Sequence, residues 1–154
     1  SLTVDNCHFE RISSRAILTT TRKNTVIKNT VFKNMCGPVL YVADDCNFWY
    51  ESGKSGIVKF IGNTVESCDN GIRGNGENVI QYEPVVIDKT SKTPVHKLLI
   101  VKKNRFTSTS KSKHTIKLEY LERAKIQNNY FDRNYEIITD ITTRVTDKNN
   151  YQAR

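Results

Sequence analysis

Laid beneath one another, five stretches of the chain share one form: "TVDNCHFERI", "TVIKNTVFKN", "IVKFIGNTVES", "LIVKKNRFTST" and "AKIQNNYFDRN". Each is an alternating apolar strand, then an Asn, then an aromatic residue or Val two or three places later. The asparagines are Asn6, Asn29, Asn63, Asn104 and Asn129, at intervals of 23, 34, 41 and 25 residues, and "VTDKNNY" near Asn149 begins a further copy. The underlying repeat is therefore in the low twenties, with two copies lengthened by insertions. A recurring unit of this size is the signature of a solenoid, because one such unit cannot bury its apolar face without a neighbour stacked on it.

Every copy also holds a second short apolar strand: "RAILTT", "PVLYVAD", "VIQYEPVVID", "TIKLEYL" and "EIITDI". Two or three strands per repeat fit a coil of parallel strands in which each turn stacks on the last at the ~4.8 Å strand spacing. The repeated Asn has a use in such a coil, since it tolerates a left-handed bend and its amide can bond to the turns above and below. Helix-period patterning is scarce, and Gly and Pro fall in connections such as "CGP", "ESGKSG" and "NGIRGNG". An antiparallel sandwich would also space short strands regularly, but it does not require each unit to restart on the same Asn-x-aromatic pattern. The expected fold is all-β, a right-handed parallel β-helix resembling the pectate-lyase-like solenoids, with loop insertions on one face. Residues 1–154 are expected to be a single domain cut from a longer solenoid. The open ends of such a coil present unpaired strand edges, so oligomers through the solenoid ends are expected.

Composition narrows the function classes. A chain of 154 residues suits one domain with a substantial core. Its 26% charged and 37% hydrophobic residues are ordinary for a soluble protein, and no apolar run approaches the ~20 residues of a membrane span. The N-terminal "SLTVDNCHFERISS" lacks the order of a signal peptide. The net charge of +8 can attract polyanions. The basic residues are scattered, however, with small clusters at "TTRK", "VKKNR" and "KSKHTIK", which reads as a solvated surface with no nucleic-acid partner. Cys7, Cys36, Cys46 and Cys68 match neither a zinc site nor a dense disulfide framework, and are expected to be buried free thiols. His8, His96 and His114 fall on separate repeats without metal-site spacing, so no metal is expected and each is read as a surface or packing residue. "GIRGNGEN" lacks the Lys-Ser/Thr and following helix of a phosphate-binding loop.

A solenoid keeps its spine constant and carries function in insertions on one face. The insertion after Asn29 contains "YVADDCNFWYESG"; the next lengthened repeat holds "GIRGNGEN" and runs to "DKTSKTPVHK", so both are expected to border one groove. Asp44 and Asp45 follow the strand "VLYVA", and their side chains should point to opposite sides, one facing the groove and one supporting it. Glycoside hydrolysis needs two carboxyl groups, and sugar sites add aromatic faces for the rings to pack on. Asp44, Asp45, Glu51, Trp49 and Tyr50 supply that inventory, although paired aspartates beside aromatics also occur at turns and capped strand ends.

The succession "FERISSRAILTTTR", "VIKNTVFKN", "VLYVADDCNFWYESG" and "VKFIGNTVESC" resembles the β-helix of glycoside hydrolase family 110, the bacterial α-1,3-galactosidases. The likeness runs from about residue 2 to about residue 106, and the Asp-Asp followed by Trp-Tyr-Glu-Ser-Gly is its most specific part. It implies an inverting exo-glycosidase without metal or nucleotide cofactor, removing terminal α-1,3-linked galactose from glycans such as blood-group B structures, in a periplasmic or secreted setting. It places Asp44 and Asp45 at the catalytic position, activating the attacking water, with Glu51 a further catalytic candidate. Trp49, Tyr50 and Glu51 would shape the sugar pocket, and Arg15 and Arg22 would bond to hydroxyl groups, or else stand as solvent-facing strand residues. Inversion needs a second carboxyl group ~6.5–9.5 Å from the base. The residue one repeat before Asp44 is Thr21, which is no acid, so the candidates are Glu51, Glu77, Glu83 or a residue outside this chain. Two further readings stand beside the enzyme: a carbohydrate-binding β-helix without turnover, and a structural or polyanion-binding solenoid.

Overall fold

The alternating segments form strands that run parallel. A computed structural model of the chain describes residues 1–45, 53–68, 78–86, 88–109 and 113–153. Trp49, Tyr50, Glu51 and Glu77 lie outside them. The first sheet is β1 (Leu2–Asp5), β4 (Thr25–Lys28), β7 (Ile57–Ile61), β10 (His96–Lys102), β13 (Leu121–Gln127) and β16 (Arg144–Lys148). The second is β2 (His8–Glu10), β5 (Val31–Lys33), β8 (Thr64–Glu66), β11 (Arg105–Thr107), β14 (Tyr130–Phe131) and β17 (Tyr151–Gln152). The third is β3 (Ile17–Leu18), β6 (Leu40–Asp44), β9 (Asn78–Pro84), β12 (His114–Leu118) and β15 (Tyr135–Thr139). Each strand pairs with the strand three places on, as in β4 with β7 and β6 with β9, which makes the fold a parallel β-helix and rules out the sandwich. The five second-strand segments picked out in the sequence are the third sheet.

Side chains of alternate residues line the interior in columns, because parallel register stacks like positions on one another. The first sheet points Ile27, Phe60, Val101 and Ile126 inward, and the third points Leu40, Ile80 and Ile116 inward; all are buried. In the second sheet Phe9, Phe32, Val65, Phe106 and Phe131 share one register. The rings stack at 5.3 Å for Phe9 and Phe32 and at 4.8 Å for Phe106 and Phe131, close to the strand spacing. Val65 interrupts the stack, and there Phe60 of the first sheet reaches Phe32 at 5.7 Å.

The corner between the first and second sheets explains the repeated Asn, and divides it into two columns. Asn6, Asn29, Lys103, Asn128 and Asn149 have φ between 50° and 57°, and Gly62 occupies the same bend at 66°. The next residue inward is Cys7, Thr30, Asn63, Asn104, Asn129 or Asn150. Asn6 and Asn29 therefore belong to the bend, whereas Asn63, Asn104 and Asn129 belong to an adjacent buried ladder. In sequence the two columns look alike because both positions favour Asn. In the ladder, the backbone N–H and side-chain amide of Asn104 both donate to Asn129 Oδ1, at 3.0 and 2.9 Å, and the same amide donates to the Phe60 carbonyl at 2.9 Å. Asn63 does likewise toward Asn104 Oδ1 and Ile27 O, and Asn129 toward Asn150 Oδ1 and Val101 O. The Thr30 N–H closes the lower end on Asn63 Oδ1 at 3.0 Å.

The cysteines depart from expectation: Cys68 is buried, Cys36 half-buried and Cys7 exposed, with Cys46 outside the described residues. Asn104→Leu removes four buried bonds and strands the Asn63 N–H and Phe60 carbonyl. Each stranded group costs roughly 1–3 kcal/mol, so we expect urea unfolding to report a loss of about 2–4 kcal/mol. Lys103→Asn, one residue away at the left-handed bend, is expected to leave stability unchanged or slightly raised. Equal effects at the two positions would contradict the ladder.

Candidate functional site

The outer face of the third sheet gathers residues from successive turns into one groove. Tyr41 of β6 pairs with Gln81 of β9, which pairs with Lys117 of β12; beside them Ala43 pairs with Glu83. Lys117 Nζ bonds Glu83 Oε1 at 2.8 Å and Glu119 Oε1 at 3.2 Å, while Gln81 Nε2 donates to the other Glu83 oxygen. Burial alone would lower the Lys117 ammonium, but its bonds to Glu83 and Glu119 outweigh that and raise it. A cavity of about 520 Å³ opens here, lined by Tyr41, Glu83, Val85, Glu119, Tyr120 and Asp140 among others. That volume is in the range of small-molecule sites.

Tyr41 sits at the centre. Burial and the Glu83 carboxylate push its phenol up, the Arg15 guanidinium pulls it down, and Asp45 pushes it up again. Arg15 lies over the Tyr41 ring, 5.5 Å from its centroid. One ring is thus within electrostatic reach of two carboxylates and a guanidinium. Asp44 and Asp45 divide their tasks. Asp44 Oδ1 accepts the Gly53 N–H at 2.9 Å and its charge acts on His96, on the far side of the strand end from Tyr41. The pairing of Leu18 with Tyr41, carried three residues on, sets Thr21 against Asp44, so the preceding turn supplies no acid there. The following turn sets Pro84 against Asp44 and Glu83 against Ala43.

Arg22 is not part of this groove. It lines a smaller cleft of about 240 Å³ with Lys54, Ser55, His96, Lys97 and Glu122. Gly53 and Gly56 let the intervening segment lie against the preceding turn, since a Cβ would stand 2.7 Å from the Thr20 carbonyl oxygen and 2.4 Å from that of Arg22. His8 is exposed, as read from the sequence, while His96 and His114 are buried. His114 Nε2 bonds Asp132 Oδ1 at 2.7 Å. Burial would raise Asp132, but hydrogen bonds from Arg133, His114 and the Ser108 N–H prevail and bring it down to about 2. Among the described residues no group of three or more His, Cys, Asp or Glu side chains is arranged to hold a metal ion.

Tyr41 and Lys117 were missed in the sequence. Tyr41 stands inside the quoted "YVADD" and was read as strand, and Lys117 joins Glu83 only through strand register. His96 and Asp132 give separate acid transitions. Burial pushes His96 down to about 4 from 6.5, helped by Lys54 and opposed by Asp44. Between those values the unfolded chain binds a proton that the folded chain refuses, so stability is full above pH 6.5 and is lost as pH falls toward 4. The loss is about 3 kcal/mol. Asp132 adds stability that is present above pH ~4 and is lost as pH falls toward 2. Denaturant unfolding from pH 7 to 4.5 is expected to show the first loss in the native chain and a much flatter profile in His96→Asn; equal slopes would assign the loss elsewhere.

No family model matches the chain. It is 30% identical over 126 residues to the protein named α-1,3-galactosidase A of Bacteroides thetaiotaomicron, covering 82% of this chain and 21% of that protein. It is 32% identical over 104 residues to α-1,3-galactosidase B of the same organism, covering 67% of this chain and 17% of that protein. Over 106 residues it is 35% identical to α-1,3-galactosidase A of Bacteroides fragilis, again covering 67% and 17%. The chain spans about a fifth of the length of the curated relatives it matches. Over most of its own length it is a homologue of proteins named α-1,3-galactosidase.

Proposed function

We propose that the chain is the β-helix portion of an inverting exo-glycosidase of glycoside hydrolase family 110, acting on terminal α-1,3-linked galactose in a periplasmic or secreted setting. The observation that carries this reading is the placement of Asp45 and Glu83 around Tyr41 at the groove. Extending the pairing of Asp44 with Pro84 by one residue sets Asp45 opposite Val85, two positions along from Glu83 on the neighbouring strand. With strands ~4.8 Å apart and a rise of ~3.3 Å per residue, that diagonal is about 8 Å between backbone positions. Inverting glycosidases hold their two carboxyl groups ~6.5–9.5 Å apart, which leaves room for the attacking water.

In this reading Asp45 and Glu83 are the two carboxyl groups, one activating the water and the other protonating the leaving oxygen. Asp44, fixed by the Gly53 N–H, secures the strand end that carries Asp45. Tyr41 and Tyr120 offer faces for sugar rings to pack on, and Arg15 stands over Tyr41 to donate to hydroxyl groups. Trp49, Tyr50 and Glu51 belong to the same loop by sequence, and complete the pocket in the proposal. Arg22 is left out of it, because it lines the other cleft. The substrate is a neutral terminal galactoside, and the reaction needs no cofactor.

Hydrolysis of a terminal α-1,3-galactobioside, with the released anomer followed by NMR in real time, tests the proposal. We expect β-galactose first, and losses of about 10²–10⁴ in kcat/KM for Asp45→Asn and Glu83→Gln. If Glu83 is the proton donor, its variant loses far more on the disaccharide than on an activated aryl galactoside; equal losses assign it the base role. Sugar binding without product in the folded chain would favour the carbohydrate-binding reading.

A further inference from the structure

We propose that His96 is a positioning residue for the Asp44–Asp45 strand end, acting through the segment 53–56. The inference rests on the reading of that strand end as part of the working site, but its geometry stands independently. The Ser55 N–H donates to His96 Nδ1 at 3.1 Å in a fully buried contact. Two residues earlier, the Gly53 N–H donates to Asp44 Oδ1 at 2.9 Å. The segment is further held by the Gly56 N–H on the Thr21 carbonyl and by Lys97 and Leu98 N–H groups on the Ser55 and Gly56 carbonyls. His96 itself is fixed by its place at the start of β10 and by the Tyr82 ring, which it meets edge-on at 5.4 Å.

The hydrogen bond fixes the tautomer. A ring nitrogen that accepts a backbone N–H carries no proton, so the proton of neutral His96 is on Nε2. Among the described residues His96 Nε2 is buried without a hydrogen-bond partner, beside the buried Ser55 and Tyr82 hydroxyls, which are close enough to interact with each other. A buried ring nitrogen without a partner is a cost that a purely packing role would not require, since an apolar side chain would avoid it. What His96 supplies in return is an acceptor for Ser55. A proton on Nδ1 would set two donors against each other, break the bond, and free the backbone that presents Gly53 to Asp44. The charged and titratable groups around the ring are Asp44 from β6, Lys54 from the segment itself and Tyr82 from β9; Arg22, Lys97 and Glu122 line the cleft outside. Asp44 alone among the nearest favours the protonated ring, and Lys54 opposes it.

The test uses no substrate, so it fails or succeeds separately from the hydrolysis assay. Proton and nitrogen NMR shifts of the Ser55 and Gly53 amides and the His96 ring, and the carbon shift of the Asp44 carboxyl, are followed from pH 7 down to 4. In the native chain, Ser55 and Gly53 are expected to move together with the His96 ring. His96→Asn keeps an acceptor near the Nδ1 position without titrating, so the Ser55 amide should hold its shift over the same range, and Gly53 should no longer move in step with it. His96→Leu should lower hydrogen-exchange protection of the Gly53 amide by roughly tenfold. If that variant does not fold, the native chain and His96→Asn decide alone. Gly53 and Asp44 signals indifferent to His96 protonation, or a His96→Asn chain that titrates like the native one, would overturn the proposal.

Discussion

The fold depends on the bond that each buried ladder asparagine makes to the turn beside it. A parallel coil must turn a corner between sheets, and every corner takes backbone groups out of strand pairing. Asn63, Asn104, Asn129 and Asn150 satisfy those groups in place: each carbonyl oxygen takes bonds from one neighbouring turn, while each amide returns one to a backbone carbonyl there. Because each amide donates to the carbonyl three residues before the ladder position of the turn below, the ladder locks register as well as stability. A slip of one residue would turn every interior column outward.

Locked register is what makes a surface site available to residues far apart in the chain. Tyr41, Glu83 and Lys117 meet because three turns keep step, even though two of the intervening repeats carry insertions. The third sheet keeps parallel pairing across both lengthened repeats, with one register shift between Thr115 and Ile116 where β12 meets β9. The spacing of carboxylates on such a face is then set by the strand spacing and the rise per residue. Residues directly across one strand lie closer than the two carboxyl groups of an inverting glycosidase, and the backbone diagonal between Asp45 and Glu83 is about 8 Å. The fold thus offers a small set of separations, and the sequence selects among them by where it puts acids.

The strand content, the parallel stacking and all five strands of the third sheet were legible from the sequence, because alternation and a repeating Asn-x-aromatic unit encode them locally. The exact Asn column was not. A left-handed bend and a buried amide ladder both select Asn, and they occupy adjacent positions, so Asn29 and Asn63 look equivalent in sequence and differ by one residue in space. At the site, Asp44 and Asp45 stood out because they are adjacent and flanked by aromatics, and Glu83 was named as one acid among several. Lys117 was invisible, since a lysine in an alternating strand is indistinguishable from a solvated one until strand pairing brings it to Glu83. Arg15 and Arg22 looked alike in "SSRAILTTTR", yet the turn of the chain between them sends one to the groove and the other to the cleft beside His96.

We propose that an α-galactoside binds on the outer face of the third sheet. Backbone and side-chain NMR shifts of the chain, recorded while α-1,3-galactobiose is added, locate the site directly. The account predicts saturable shifts centred on Tyr41, Gln81, Glu83, Lys117 and Tyr120. Shifts confined to the other two sheets or to the cleft around Arg22, or none at saturating sugar, would contradict it.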